Sequence, residues 1–240
     1  MEVVRTLWCP KEGSTDEQYE DAYCVGEGVV AVSDGASAAV YARQWAGLLV
    51  TEFANGDPMP DKDATFWERV TTLGTRWSAE VSGGEGKAGA SSWWAEEKLP
   101  EGSQASLLVV RLSDGKFHAA SVGDVCVFVI RGGKFKWAFP LKKSAAFGNH
   151  PSLIPTDPAR LPRKPPVVRF AASIEAGDRL FFCTDALAQW FLSRHEKKAQ
   201  PWEEMPTEEE AFRTWVQARR DDRTLKNDDV TLVELTIPSG

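Results

Sequence analysis

The sequence predicts an α+β fold with two antiparallel sheets packed face to face between helical layers, and three observations carry that reading. Short runs rich in Val, Ile and Phe recur at 21–26, 29–33, 105–112, 117–122, 125–131, 134–139, 179–184 and 230–237. Two connections between these runs are the dipeptides Asp114-Gly115 and Gly132-Gly133, which supply the positive φ of a two-residue hairpin and so imply antiparallel neighbours. Helical stretches at 38–54, 65–81, 186–192 and 208–219 come in blocks between the strand runs.

The elements follow in order. After the first two strand runs, the stretch 38–54 carries Val40, Gln44, Gly47, Leu48 and Thr51, a mixture of small and apolar residues that predicts a closely packed face. In 65–81, Phe66, Val70, Leu73 and Trp77 recur at three-to-four spacing and predict one face buried against a sheet. The four runs from 105 to 139 form two hairpins. The last helix has a capping-box start, Thr207 with Glu210, and the run 230–237 closes the pattern. The glycine-rich 83–86 and proline-rich 151–166 segments read as loops, and neither divides regions of different composition. One domain over residues 1–240 is expected. The segments 83–102 and 139–166 are candidates for a flap beside a cleft.

Composition narrows the function. Of 240 residues, 28 are Lys or Arg and 35 are Asp or Glu, giving a net charge of −7, and 42% are hydrophobic, which excludes a disordered chain. An acidic chain without a basic run argues against a nucleic-acid groove or an anionic membrane surface as partner. Charged or polar residues interrupt every apolar run before the roughly 18 residues of a membrane span, and residues 1–8 show no secretory signal. A cytoplasmic protein acting on proteins or small molecules is expected, with its oligomeric state left open. Cys9, Cys24, Cys126 and Cys183 are far apart, and the last three lie in apolar segments as small core residues.

The chemistry is carried by aspartates at strand ends. Residues 29–33 lead to Asp34-Gly35, residues 119–123 to Asp124, and residues 180–184 to Asp185, while Asp228-Asp229 opens the last strand. Any single strand-end aspartate is commonly a turn former. Strands of a sheet share their ends, however, so several such carboxylates can meet at one rim, where protons or cations must offset their repulsion. An all-oxygen set favours Mg²⁺ or Mn²⁺, and His118, His150 and His195 with the scattered cysteines offer no zinc spacing. Two such ions about 3.5–4 Å apart activate a water for in-line attack on phosphorus, which makes a phosphohydrolase the leading chemical class.

The ordered set Glu20-Asp21-Ala22, VSDG at 32–35, SVGD at 121–124, CTDAL at 183–187 and NDDVT at 227–231 resembles the PPM family of metal-dependent serine/threonine protein phosphatases, the type 2C group, over nearly the whole chain. The resemblance implies a β-sandwich of two antiparallel sheets flanked by α-helices on both faces, with metals in a cleft at one end. It implies hydrolysis of a phosphoserine or phosphothreonine ester of a phosphorylated protein by a metal-activated water, without a phosphoenzyme. By the same resemblance, Asp34 bridges both metals and Gly35 offers its carbonyl to the second. Glu20 serves the second metal directly or through water, and Asp21 holds metal-bound water. Asp185 and Asp228 serve the first, and Asp124 with Asp185 a possible third. Asp229 stands where many members have Asn, and either supports Asp228 or bonds its own turn.

The chain departs from the family's pattern in places. Asp16 stands where relatives usually have a phosphate-contacting Arg, leaving Lys11 as the nearby basic residue. Ala36-Ser37-Ala38 replaces the usual x-Gly-Gly, with Ser37 either a helix N-cap or a phosphate contact. Gln104-Ala105-Ser106 replaces the usual Thr-Ala start of the central strand and reads as structural. His150 reads as an ordinary loop histidine. Glycines 26 and 28 precede a strand instead of following one, so they form no dinucleotide fingerprint, and Gly86-Lys87 lacks the rest of a Walker loop. Two alternatives stand beside the phosphoprotein phosphatase: a binding or regulatory protein on the same fold, and a hydrolase of a small phosphorylated metabolite.

Overall fold

The computed structural model describes residues 1–55, 62–82, 98–148 and 151–238. Its strands are β1 (Glu2–Cys9), β2 (Ala22–Gly26), β3 (Val29–Ser33), β4 (Gln104–Ala105), β5 (Leu107–Ser113), β6 (Lys116–Val122), β7 (Cys126–Arg131), β8 (Lys134–Phe139), β9 (Ile154–Pro155), β10 (Val168–Ser173), β11 (Arg179–Cys183) and β12 (Val230–Thr236). Its helices are α1 (Ala42–Asn55), α2 (Asp63–Ser82), α3 (Asp185–Glu196), α4 (Pro201–Glu204) and α5 (Glu209–Asp221). No helix among the described residues is long and apolar enough to cross a membrane.

Two five-stranded antiparallel sheets form, in the orders β10-β6-β5-β3-β2 and β1-β12-β11-β7-β8. Alternation along the strands explains the layering. In β3, Val29 and Ala31 face α1 and α2 with Leu107, Val109, Ala120 and Val122. Val30 and Val32 face the other sheet, meeting Val127, Val129, Leu180, Phe182 and Val233. The outer face of the second sheet, with Phe128, Phe181, Cys183 and Leu232, packs on α3 and α5. A strand covered on both sides must be apolar at every position, which is why β3 and β7 are continuous apolar runs. The result is an α-β-β-α stack.

Both hairpin turns form, with positive φ at Asp114, Gly115, Gly132 and Gly133. Phe66, Val70, Leu73 and Trp77 are all buried on α2. Cys9, Cys126 and Cys183 are buried and Cys24 is half-buried, none of them in a disulfide.

The differences have local causes. Helix α1 starts at Ala42, after turns through Tyr41, whose φ is +54°. Its buried face is Trp45, Ala46, Leu49 and Phe53, and Gly47 faces open space instead of close packing. Thr207 does not cap α5, since Glu208 precedes the first turn and makes no side-chain cap bond. Strand β1 escapes the alternation pattern because one inward position is Arg5, buried against Glu234. Strand β10 is an edge strand with Val168 exposed, so it carries no apolar run. His150 and residues 83–97 of the candidate flap, with Gly86-Lys87, lie outside the described residues.

Candidate metal centre

Strand register brings the acidic residues to one end of the sandwich. Ala22 pairs with Ser33, so Glu20-Asp21 before β2 and Asp34 after β3 lie side by side. Cys183 pairs with both Leu232 and Cys126, so Asp185 after β11, Asp228-Asp229 before β12 and Asp124 before β7 share the neighbouring rim. The two rims are tied together: the Thr231 hydroxyl donates to Asp21 Oδ2 at 2.6 Å and is itself in contact with the Tyr19 hydroxyl.

Each carboxylate is held differently. Ser106 fixes the Asp34 backbone: its N–H donates to the Asp34 carbonyl at 2.9 Å, and its hydroxyl lies 3.3 Å from the Asp34 N–H. Ser106 lies between β4 and β5. Gly35 is needed for close approach, because a Cβ there would lie 2.6 Å from the Glu20 carbonyl oxygen. Asp185 opens α3 and accepts the Ala186 N–H at 2.5 Å, a position where the helix dipole favours negative charge. Asp229 neither braces Asp228 with its side chain nor bonds its own turn. Its carboxylate accepts the N–H groups of Lys11 at 2.8 Å and Glu20 at 2.7 Å.

Burial and neighbouring charge raise several of these carboxyls. The Asp34 carboxyl is pushed well above the ordinary range by burial and then by the charges of Asp21, Asp185, Asp124 and Asp228. Burial raises Asp21 strongly, outweighing the Thr231 hydrogen bond, and Asp229 adds to the effect. Asp124 is raised to about 7, by burial and then by Asp185. Asp185 is raised by burial, with Lys226 opposing and Asp228 adding to it. Like charges brought out of water cannot all remain ionised unless cations join them.

Two lysines supply part of that charge. Lys226 Nζ lies 3.1 Å from Asp185 Oδ2 and 2.7 Å from Asp228 Oδ2. Lys11 Nζ lies 2.7 Å from Glu20 Oε2 and 2.9 Å from Ser37 Oγ. Ser37 is therefore not a helix cap, since α1 begins five residues later. Asp16, in the place of the family's Arg, instead binds Arg213 at 2.9 Å. Clefts flank the centre on both sides: one of about 540 Å³ lined by Glu12, Ser144, Arg223 and Lys226, and one of about 260 Å³ lined by Lys11, Glu20, Tyr41 and Arg43.

The donor set suits a hard divalent cation. It is all oxygen, its charge is under-compensated, and the buried Asp21 Oδ1 has no hydrogen-bond partner. The shell is not closed: among the described residues, no three His, Cys, Asp or Glu side chains are gathered into a group that could hold an ion as they stand. Sequence reading missed Arg220, which is buried on α5 and donates to the carbonyls of Pro10 at 3.0 Å and Asp228 at 2.7 Å, fixing the loop that presents Asp228. An arginine at the amphipathic margin of a helix carries no signal of that contact.

No protein-family model and no curated protein matches the chain. Solved structures do. Serine/threonine phosphatase Stp1 from Staphylococcus aureus superposes with a TM-score of 0.62 at 14% identity, covering 98% of this chain and 94% of that one. The catalytic domain of serine threonine protein phosphatase PstP, in complex with two manganese ions, gives 0.60 at 16% identity, covering 100% of both chains. The photosystem II phosphatase PBCP gives 0.58 at 17% identity, covering 97% of each. The chain has the fold of the PPM-type serine/threonine phosphatases.

Proposed function

We propose that this protein is a divalent-metal-dependent phosphatase of phosphoserine and phosphothreonine proteins. The observation that supports it most is the crowding of Asp34 by the charges of Asp21, Asp124, Asp185 and Asp228, drawn from both sheets to one rim. A buried carboxylate cluster of this kind is costly, and a site that must capture Mg²⁺ or Mn²⁺ gives it a use. Asp34, with Glu20 and the Gly35 carbonyl on one side and Asp185 and Asp228 on the other, would hold the metals, with Asp124 available for a further one. When bound, they would activate water and neutralise the phosphate.

The chain's own residues then orient and anchor. Thr231, itself in contact with the Tyr19 hydroxyl, fixes the Asp21 carboxylate, and Asp229 fixes the backbone of Glu20. Lys11 and Ser37, joined at 2.9 Å beside Glu20, offer an ammonium and a hydroxyl to phosphate oxygens in place of the arginine that Asp16 replaces. Positioning and charge compensation are the main levers for phosphoryl transfer.

Hydrolysis of a phosphothreonine peptide and of p-nitrophenyl phosphate with Mn²⁺ tests this reading. Wild type is expected to turn over both, and Asp34→Asn to lose about a hundredfold or more in kcat, the scale of removing a key electrostatic group. A second reading, a regulator on the same fold without turnover, draws on the lysines that occupy Glu20, Asp185 and Asp228. Absence of turnover across several phosphopeptides with both metals would put it ahead. Cleavage confined to small phosphorylated metabolites would redirect the substrate class.

A further inference from the structure

We infer that Lys226 is a tethered counter-cation that competes with the divalent ion for Asp185 and Asp228, and so sets how readily that half of the centre loads. The inference rests on the metal reading of the site. Lys226 bridges the two carboxylates at 3.1 and 2.7 Å, the place a shared cation would take. Its side chain is 49% exposed, whereas those of Asp185 and Asp228 are 16% and 26% exposed, so the ammonium closes the pair from the solvent side. It also lines the 540 Å³ cleft, into which a flexible four-carbon stem can swing without disturbing the fold.

Lys11 is anchored differently. Its ammonium is shared between Glu20 and Ser37, and its backbone N–H is fixed by Asp229. That side chain keeps a hydroxyl partner if Glu20 turns to another cation. Lys226 has two carboxylates in its grip, and a divalent ion claiming both must expel it. Competition for the same oxygens predicts a signature of two opposite signs: removing the ammonium should harm the metal-free protein and help the metal bind.

Isothermal titration of Mn²⁺ into the metal-stripped full chain, paired with thermal melting in chelator, tests this. Lys226→Met is expected to bind Mn²⁺ roughly three- to tenfold more tightly, the scale of losing two partly exposed ion pairs, and to melt a few degrees lower in chelator. Lys226→Gln should move both readouts in the same directions and serves if the Met variant folds poorly. Lys226→Arg, which retains the charge, should tighten neither. Lys134→Met is the charge-matched control: Lys134 begins β8 at the hairpin turn, the length of β7 away from the rim, and should leave affinity unchanged. Unchanged or weaker binding in Lys226→Met, or equal tightening in Lys134→Met, overturns the inference. Failure of wild type to bind Mn²⁺ at all overturns the metal reading as well, which separates the two failures.

Discussion

The two ends of the sandwich treat buried carboxylates in opposite ways. Away from the rim, Asp178 is fully buried and gripped by both arms of Arg131 at 2.7 Å each. Glu234, 1% exposed, is held between Arg5 at 2.5 Å and Arg179 at 2.9 Å. At the rim, Asp21, Asp34 and Asp124 are raised by burial and by neighbouring aspartates, and the cations nearby are lysines on the solvent side. Guanidinium groups are permanently charged and grip in a fixed fork, whereas an ammonium on a flexible stem is exchangeable. The chain thus neutralises the acids away from the rim with fixed guanidinium forks and leaves the rim acids to flexible ammonium groups.

The largest effect that would break this contrast is at the structural end. Glu234→Ala leaves Arg5 buried without its partner and should cost about 3–5 kcal/mol in urea unfolding; a loss under about 1 kcal/mol would mean that the buried ions are not where the stability lies. At the rim the sign should reverse. Asp34→Asn removes a repelled charge and should stabilise the protein by about 1–2 kcal/mol in chelator, and a destabilisation of that size would show the cluster to be self-sufficient.

A third effect is pH dependence in chelator. Asp124 titrates near 7 in the folded protein, raised by burial and by Asp185, against about 3.9 in an unfolded chain. The native state therefore holds this proton longer. Its contribution to stability is present below about pH 4 and is lost as pH rises through about 7. The melting temperature should fall between about pH 4 and 7, and Asp124→Asn should flatten part of that slope. Equal slopes in the two proteins would remove Asp124 from the account.

Much of this was legible in the sequence because both-face burial leaves continuous apolar runs. β3 and β8 appear at their observed bounds, and β7 and β12 within one residue at an end. The rim was legible for the same reason, since β3, β7 and β12 each have an aspartate at or within two residues of their rim end: Asp34, Asp124 and Asp229. What stayed hidden was contact between side chains far apart in sequence. Nothing near Lys226 announces a partner at Asp185, and Asp229 reads as a support of Asp228 or a turn residue until the loop carrying Lys11 and Glu20 folds onto it. Edge strands β1 and β10 failed to register because one face is solvated, or because a charge is buried by pairing.

The fork of Asp229 onto Glu20 spans 209 residues of sequence. During synthesis at about 5–20 residues per second, Glu20 would wait roughly 10–40 s for that brace to emerge. Until then the first acidic residues of the rim are chemically present but unaligned. A rim acting as proposed would therefore be complete only once its last strand has been made.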